Sequence, residues 1–460
     1  MSKSNFNKKF ILGITLVSAM GGLLFGYDWV VIGGAKPFYE RFFDITNLPY
    51  LQGWAMSSAL IGCLFGALSS GYFSDRYGRK MPLITAAALF TIAAIGTGAA
   101  SQFTPFIIYR LIGGLGIGLA SAISPMYIAE ISPAEMRGRL VSINQLTIVI
   151  GILAAQIINY LIAEAVPADA NDEFILNSWN GQTGWRWMFW AGTVPAILFF
   201  ALSFFIPESP RFLAKSGKSE SAFSILKRIG GHDYAIQEQK EIAETLHGTD
   251  SKIDWKALTS KKVRPVLVLG IVLAVFQQWC GINVIFNYAE EIFTSAGYSV
   301  GDMLFNIVIT GTVNLIFTVL AMRMVDSWGR RKLMLLGSIG LAVVYFMLGT
   351  SYFFELKGLA ILVLVIVAIA TYAMTLAPIT WVILSEIFPN SIRGAAMAIA
   401  TTALWIACFV LTYTFPILNK LLNASGTFWL YAFICFSGFL FILKKLPETK
   451  GKSLEEIEKM

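Results

Sequence analysis

Apolar runs of ~20 residues, each long enough to cross a bilayer as a helix, recur along the whole 460-residue chain. A soluble fold has no place for a dozen of them. Six runs, at 10–32, 51–73, 82–100, 105–128, 140–162 and 188–206, precede a polar stretch at 208–264. Six more follow, at 265–288, 303–325, 333–352, 359–384, 395–418 and 427–446. Composition agrees, with 56% apolar and 14% charged residues, where soluble domains carry about a quarter charged. The sequence therefore predicts an all-α integral membrane protein of twelve transmembrane helices: a six-helix half at 1–207, a cytoplasmic linker at 208–264, a second six-helix half at 265–446 and a tail at 447–460. Within the linker, helical spacing at 219–226 and 234–246 predicts short amphipathic helices lying on the membrane surface.

The net charge of +7 is distributed by topology. Lys and Arg gather at the N-terminus, at 76–80, at 137 and 139, in the linker, at 323–332, at 393 and in the tail, whereas the alternate loops at 101–105, 163–184 and 290–302 have neither. This bias places both termini and the linker in the cytoplasm and excludes a nucleic-acid footprint. The first run is long enough to span and lacks a small-residue cleavage site, so it reads as a helix, not a removed signal. Cys63, Cys280, Cys408 and Cys435 all lie within apolar runs and read as packing residues. His232 and His247 fall in the linker, too far from the spans for a buried proton relay. Nothing calls for a metal or cofactor. No span presents a nucleophile with a base or a metal cluster, which makes an enzyme the reading with least support.

An internal repeat is the sharpest evidence of organisation. Asp75-Arg76-Tyr77-Gly78-Arg79-Lys80 after the second run returns as Asp326-Ser327-Trp328-Gly329-Arg330-Arg331-Lys332 after the eighth. Glu130 with Arg137-Gly138 after the fourth returns as Glu386 with Arg393-Gly394 after the tenth, and Pro207-Glu208-Ser209 after the sixth returns as Pro447-Glu448-Thr449 after the twelfth. Three markers in one order make the halves copies of the same topology, an arrangement that puts a binding site at the midplane between them. Duplication also argues that the charged markers, Asp75, Arg76, Arg79, Glu130, Arg137, Glu208, Arg211, Asp326, Arg330, Arg331, Glu386 and Arg393, form ion pairs that lock the cytoplasmic side. A plain solvated loop is the competing reading.

Two charges interrupt the spans. Asp28 ends Phe25-Gly26-Tyr27-Asp28 in the first, and Arg110 opens a glycine-rich stretch to Gly118 in the fourth. Intramembrane charges are costly and commonly pair or line a pathway. They read either as a static ion pair or as a proton site whose load depends on their contact. The glycines of the fourth span follow no strand and belong to close helix packing instead of a phosphate loop. Amides cluster at Gln145, at Gln277, Gln278, Asn283 and Asn287, and at Asn314. Such groups both donate and accept hydrogen bonds without charge, which suits a neutral polyol. Their spacing keeps at least two of the Gln277, Gln278 and Asn283 side chains on one helical face. Trp381 and Trp405 lie deep in their spans, where a ring can stack on a sugar or simply pack. Phe25 and Tyr288 complete the candidate substrate set.

Taken together these residues resemble the sugar porters of the major facilitator superfamily, most closely the bacterial D-xylose/proton symporters. The resemblance runs from about residue 10 to 456 and rests on Gly26-Tyr27-Asp28, the Arg110 helix, Glu130 with Arg137-Gly138-Arg139, Pro207 to Arg211, Gln277 to Asn283 and Pro447 to Thr449. It implies a major facilitator fold that works by alternating access. Asp28 would be the proton site and Arg110 its partner, with Gln145, Gln277, Gln278, Asn283, Asn314, Trp381 and Trp405 around the sugar. It further implies a monomer in the bacterial inner membrane. Gly192 stands where the xylose symporters carry a glutamate, Leu404 where they carry a glutamine, and Ala377 where they carry a glycine. The reading is proton-coupled uptake of a neutral pentose or hexose. Its rivals are an uncoupled facilitator of the same fold and a transporter-like sugar sensor.

Overall fold

A computed structural model describes residues 6–167, 170–247, 260, 263–388 and 393–448, which form helices and connecting turns. The first half of the chain supplies α1 (Lys8–Phe42), α2 (Pro49–Tyr77), α3 (Lys80–Ala99), α4 (Phe103–Ile131), α5 (Arg137–Ile162), the short α6 (Asp172–Asn177), a π-helical turn Asn180–Gly184, α7 (Trp185–Ala191) and α8 (Thr193–Ser203). Next come α9 (Pro210–Lys215) and α10 (Ser219–His247), then α11 (Arg264–Trp279), α12 (Ile282–Asn287), α13 (Ala289–Ser295), α14 (Val300–Trp328), α15 (Arg330–Phe353), α16 (Leu359–Met374), α17 (Leu376–Ile387) and α18 (Arg393–Lys445).

Eleven helical stretches among the described residues are long and apolar enough to span a membrane. The last of them holds two crossings. At 1.5 Å per residue the 53 residues of α18 would extend about 80 Å, far beyond a hydrocarbon core of about 30 Å. The helix breaks at Asn423, whose φ is 57°, so two crossings meet there, as the sequence predicts. Within the linker, α10 likewise consists of two helical pieces, because it is interrupted at Gly231, φ 87°.

The chain packs as two units, Met1–Asp28 with Gly62–Ile152 and Phe189–Lys252, and Trp29–Ile61 with Leu153–Met188 and Ile253–Met460. Helices α1, α2, α5 and α7 contribute to both. In the first unit α3 packs most closely on α4 and α8. Glycines set the approach of neighbouring helices there. A Cβ at Gly26 of α1 would meet the Ile148 carbonyl of α5, and one at Gly151 of α5 would meet the Leu23 carbonyl of α1. The fourth-span glycines act in the same way, Gly118 lying against the Cys63 carbonyl and Gly116 against Ala86 and Leu89. In the second unit α18 packs along α15 and α11, with α16 against α15 and α14.

Where the sequence suggests continuous spans, several are broken. The seventh is divided at Gly281, φ 86°, where a Cβ would sit 3.0 Å from the Tyr431 ring. The tenth is divided at Thr375 and the sixth at Gly192. The first continues ten residues past its predicted end, through Pro37 to Phe42.

Candidate functional site

The two intramembrane charges meet. Nη1 of Arg110 donates to both carboxylate oxygens of Asp28 at 2.9 Å. Arg110 is buried, while the Asp28 side chain keeps 18% of its exposure. The pair is therefore lopsided: one end is sealed in α4 and the other can be reached by water. Gly113, one turn along α4, leaves room for the Asp28 carboxylate, 3.8 Å from where its Cβ would stand. The guanidinium also lies over Phe189, 6.0 Å from the ring centre. Tyr27 occupies the space beside Gly192, where a Cβ would come within 2.9 Å of its ring. A glutamate at 192 would thus require Tyr27 to move.

The amides of the second unit form a chain of hydrogen bonds. Gln277 Nε2 donates to the Tyr372 hydroxyl at 2.5 Å, Gln278 Nε2 donates to Gln277 Oε1 at 2.5 Å, and Asn283 Nδ2 donates to Gln278 Oε1. All three amides are buried. They do not meet on the face of one helix as the spacing suggests. The turn at Gly281 ends α11 and starts α12, and this break carries Asn283 back onto Gln278. Sugar-binding sites of transporters are commonly built at such broken helices, where backbone and side-chain polar groups point into the bundle. Tyr372 of α16 was not legible as a partner, since a tyrosine in an apolar run usually reads as packing.

The remaining candidates are placed unevenly. Asn314 of α14 is buried, and Trp405 is buried with its ring 6.3 Å from that of Trp29. Trp381 is 41% exposed on α17. Tyr288 is fully buried, but its hydroxyl donates to the Thr412 carbonyl at 2.7 Å and its ring packs on Phe415. Phe25 and Gln145 belong to the first unit, where Gln145 is exposed on α5. Asn287 keeps a buried Oδ1 without a hydrogen bond. Gln156 was missed. It is buried with neither amide atom bonded and lies against Gly311, one turn from Asn314.

The duplicated markers close on themselves in each repeat. Arg79 Nη2 pairs with Glu130 Oε1 at 2.7 Å, and Glu208 accepts from the backbone N–H groups of Arg79 and Lys80 at 2.8 and 3.2 Å. In the second repeat Arg330 Nη2 pairs with Glu386 Oε1 at 3.2 Å, and Glu448 accepts from the N–H groups of Arg330 and Arg331 at 2.9 and 3.2 Å. Each glutamate thus caps a helix N-terminus, α3 or α15, from a distant part of the chain. The preceding Gly78 and Gly329 have φ of 84° and 85°, which a side chain would strain. Asp75 pairs with Lys215 at 3.1 Å, and Arg76 donates to the Tyr72 hydroxyl. Arg137 and Arg211 line a cavity of about 240 Å³ with Glu130, Glu238 and Glu241. Burial, with Glu241 nearby, raises the Glu238 carboxyl above its ordinary value, while Arg137 and Arg211 oppose the shift. The side chains of Asp326 and Arg393 lie outside the described residues.

Comparison with known proteins fits this geometry. The family profile described as "Sugar (and other) transporter" matches residues 14–460. The chain belongs to the sugar porter family of the major facilitator superfamily. This porter is 40% identical to the D-xylose-proton symporter of Escherichia coli strain K12, across 99% of its own length and 96% of the relative's. It is 41% identical to the arabinose-proton symporter of Bacillus subtilis, across 98% and 95%. Among solved structures, the inward open conformation of the E. coli xylose transporter superposes with a TM-score of 0.84 at 40% identity, covering 98% of the porter and 99% of that chain. The fold is the one the sequence predicts, the chain is a multi-pass membrane protein like these relatives, and the porter is not an enzyme.

Proposed function

We propose that the protein is a secondary active transporter that carries a neutral monosaccharide, a pentose or hexose, together with a proton by alternating access. The Asp28–Arg110 contact carries this reading. An acid that one guanidinium holds at 2.9 Å, with its own carboxylate still partly open, can exchange that partner for a proton when the contact changes. Relatives named for proton symport of xylose and of arabinose support coupling. The amide chain from Gln277 to Asn283 supports a neutral polyol, because sugar hydroxyls can replace each hydrogen bond the amides make to one another. Gln145, Asn314, Trp381, Trp405, Phe25 and Tyr288 complete the proposed substrate path. The paired triads around Glu208 and Glu448, with Asp75, Arg76, Arg137 and Arg211, form the proposed cytoplasmic network that biases the two access states. Both termini lie in the cytoplasm and the protein works as a monomer in an inner membrane. The proposed repeats are 1–207 and 265–446, with the linker between them at 208–264 and the tail from 447.

A second reading, an uncoupled facilitator, has one observation in its favour: Gly192 offers no acid beside Tyr27. Uptake of labelled D-xylose and D-glucose into proteoliposomes, with and without an inward proton gradient, separates the two. Accumulation above equilibrium that needs the gradient is expected. Equilibration indifferent to the gradient would establish the facilitator.

A further inference from the structure

At the end of α1 away from the basic turns, Lys36 is 2% exposed and meets three carboxylates. Its Nζ lies 3.3 Å from Glu40 of the same helix, and 3.1 and 2.7 Å from Glu290 and Glu291 of α13. The ring of Tyr288 covers the ammonium at 5.8 Å. One ammonium cannot balance three acids, and amide donors take up the excess. Gln52 of α2 donates to Glu40 Oε2 at 3.0 Å, and Asn419 of α18 donates to Glu291 Oε2 at 3.3 Å. A buried charge is costly unless it is paired and hydrogen-bonded, and Glu40 Oε1 is left here without a hydrogen bond. Lys36 is thus the keystone of a cluster that joins α1 and α2, from before the linker, to α13 and α18, from after it.

We propose that this cluster is an outer latch: Lys36 holds the extracellular ends of α1, α2, α13 and α18 together in the outward-closed state, and its ion pairs separate when the carrier opens outward. The proposal rests on the alternating-access reading. Removal of Lys36 leaves three acids facing one another, which drives α1 from α13 instead of merely loosening them. Lys36 does not touch the proposed sugar amides, so it acts as a positioning residue for the gate.

The test is the distance between spin labels at positions 50 and 421, exposed sites on α2 and α18, in the full-length protein in lipid nanodiscs. The native cysteines are buried, which keeps labelling at the introduced sites. In K36M the long-distance population should rise roughly tenfold. K36R should keep the native distribution, and K36E with E291K should restore it. Should K36M fail to assemble, E290Q with E291Q must give a shift in the same direction. A distribution in the folded variants that superimposes on the native one overturns the latch. Labelled sugar uptake by the same native preparation reports the carrier reading separately: uptake without a shift overturns the latch alone, and a shift without uptake overturns the carrier alone.

Discussion

Arg110 holds Asp28 through a single nitrogen, Nη1, equidistant at 2.9 Å from both carboxylate oxygens. This is not the two-nitrogen fork that gives a guanidinium its strongest grip. Such a contact can be made and broken within a transport cycle. Its partners sit on α1 and α4 within one packing unit, so the pair does not need the rest of the chain to hold it.

If Asp28 carries the proton, Asp28→Asn removes concentrative uptake and spares equilibrium exchange of labelled sugar. Counterflow measured beside gradient-driven uptake checks both halves of the expectation. Accumulation retained by the variant would remove Asp28 from the role.

The amide chain makes a quantitative prediction about affinity. Loss of one hydrogen-bonding amide costs on the order of 1.5 kcal/mol, or about tenfold. Gln277→Ala and Asn283→Ala should each raise the KM for sugar by about that factor, as zero-trans uptake kinetics would show. Because Gln278 bonds to both, the double variant should fall short of the product of the singles.

The triads predict matched behaviour in the two repeats. Glu208→Gln and Glu448→Gln each remove a charged acceptor from a helix N-terminus, α3 or α15, at a cost of about 1–2 kcal/mol. Gly78→Ala and Gly329→Ala strain backbones at positive φ by a similar ~1–2 kcal/mol. Thermal unfolding of all four in one detergent should show losses of comparable size. A large loss in one repeat with none in the other would contradict the equivalence.

Glu238 sets a pH dependence on the linker side. Its pKa in the folded chain is raised above the ordinary 4.5, by burial first and Glu241 second. The folded state therefore binds this proton more tightly than the unfolded state, and the associated stability is complete below 4.5. It fades as pH rises through the raised value. Hydrogen exchange in α10 should accelerate, beyond its intrinsic pH dependence, as pH rises from 4.5 toward neutral. Glu238→Gln should flatten that excess.

Much of the fold is legible because bilayer-spanning helices announce themselves by length and apolar composition, and because the repeat writes its markers twice. Glu130 and Glu386 could be matched in this way before their arginines were known to reach them. The breaks were less legible. Gly281 sits in an apolar run that reads as continuous, and only its left-handed backbone shows that Asn283 folds back to Gln278. The Lys36 cluster escaped for a related reason. A run judged by hydropathy ends near Ile32, so Lys36 and Glu40 read as loop, although α1 continues to Phe42. Glu290 and Glu291, 250 residues further on, carry no local sign that they face a lysine. The part of α18 around Asn423 was legible because Asn-Ala-Ser-Gly interrupts the apolar pattern. Likewise, nothing in the spacing tells Gln156 from its lipid-facing neighbours, since burial of an amide depends on the facing Gly311.

The central claim is that sugar and proton move together, and proton flux driven by sugar alone tests it most directly. Proteoliposomes loaded with a pH-sensitive dye, with no imposed gradient, are given external D-xylose or another sugar that the protein is shown to carry. The account predicts acidification of the lumen on sugar addition, absent in Asp28→Asn. Sugar entry at the same rate with no change in lumenal pH would contradict it.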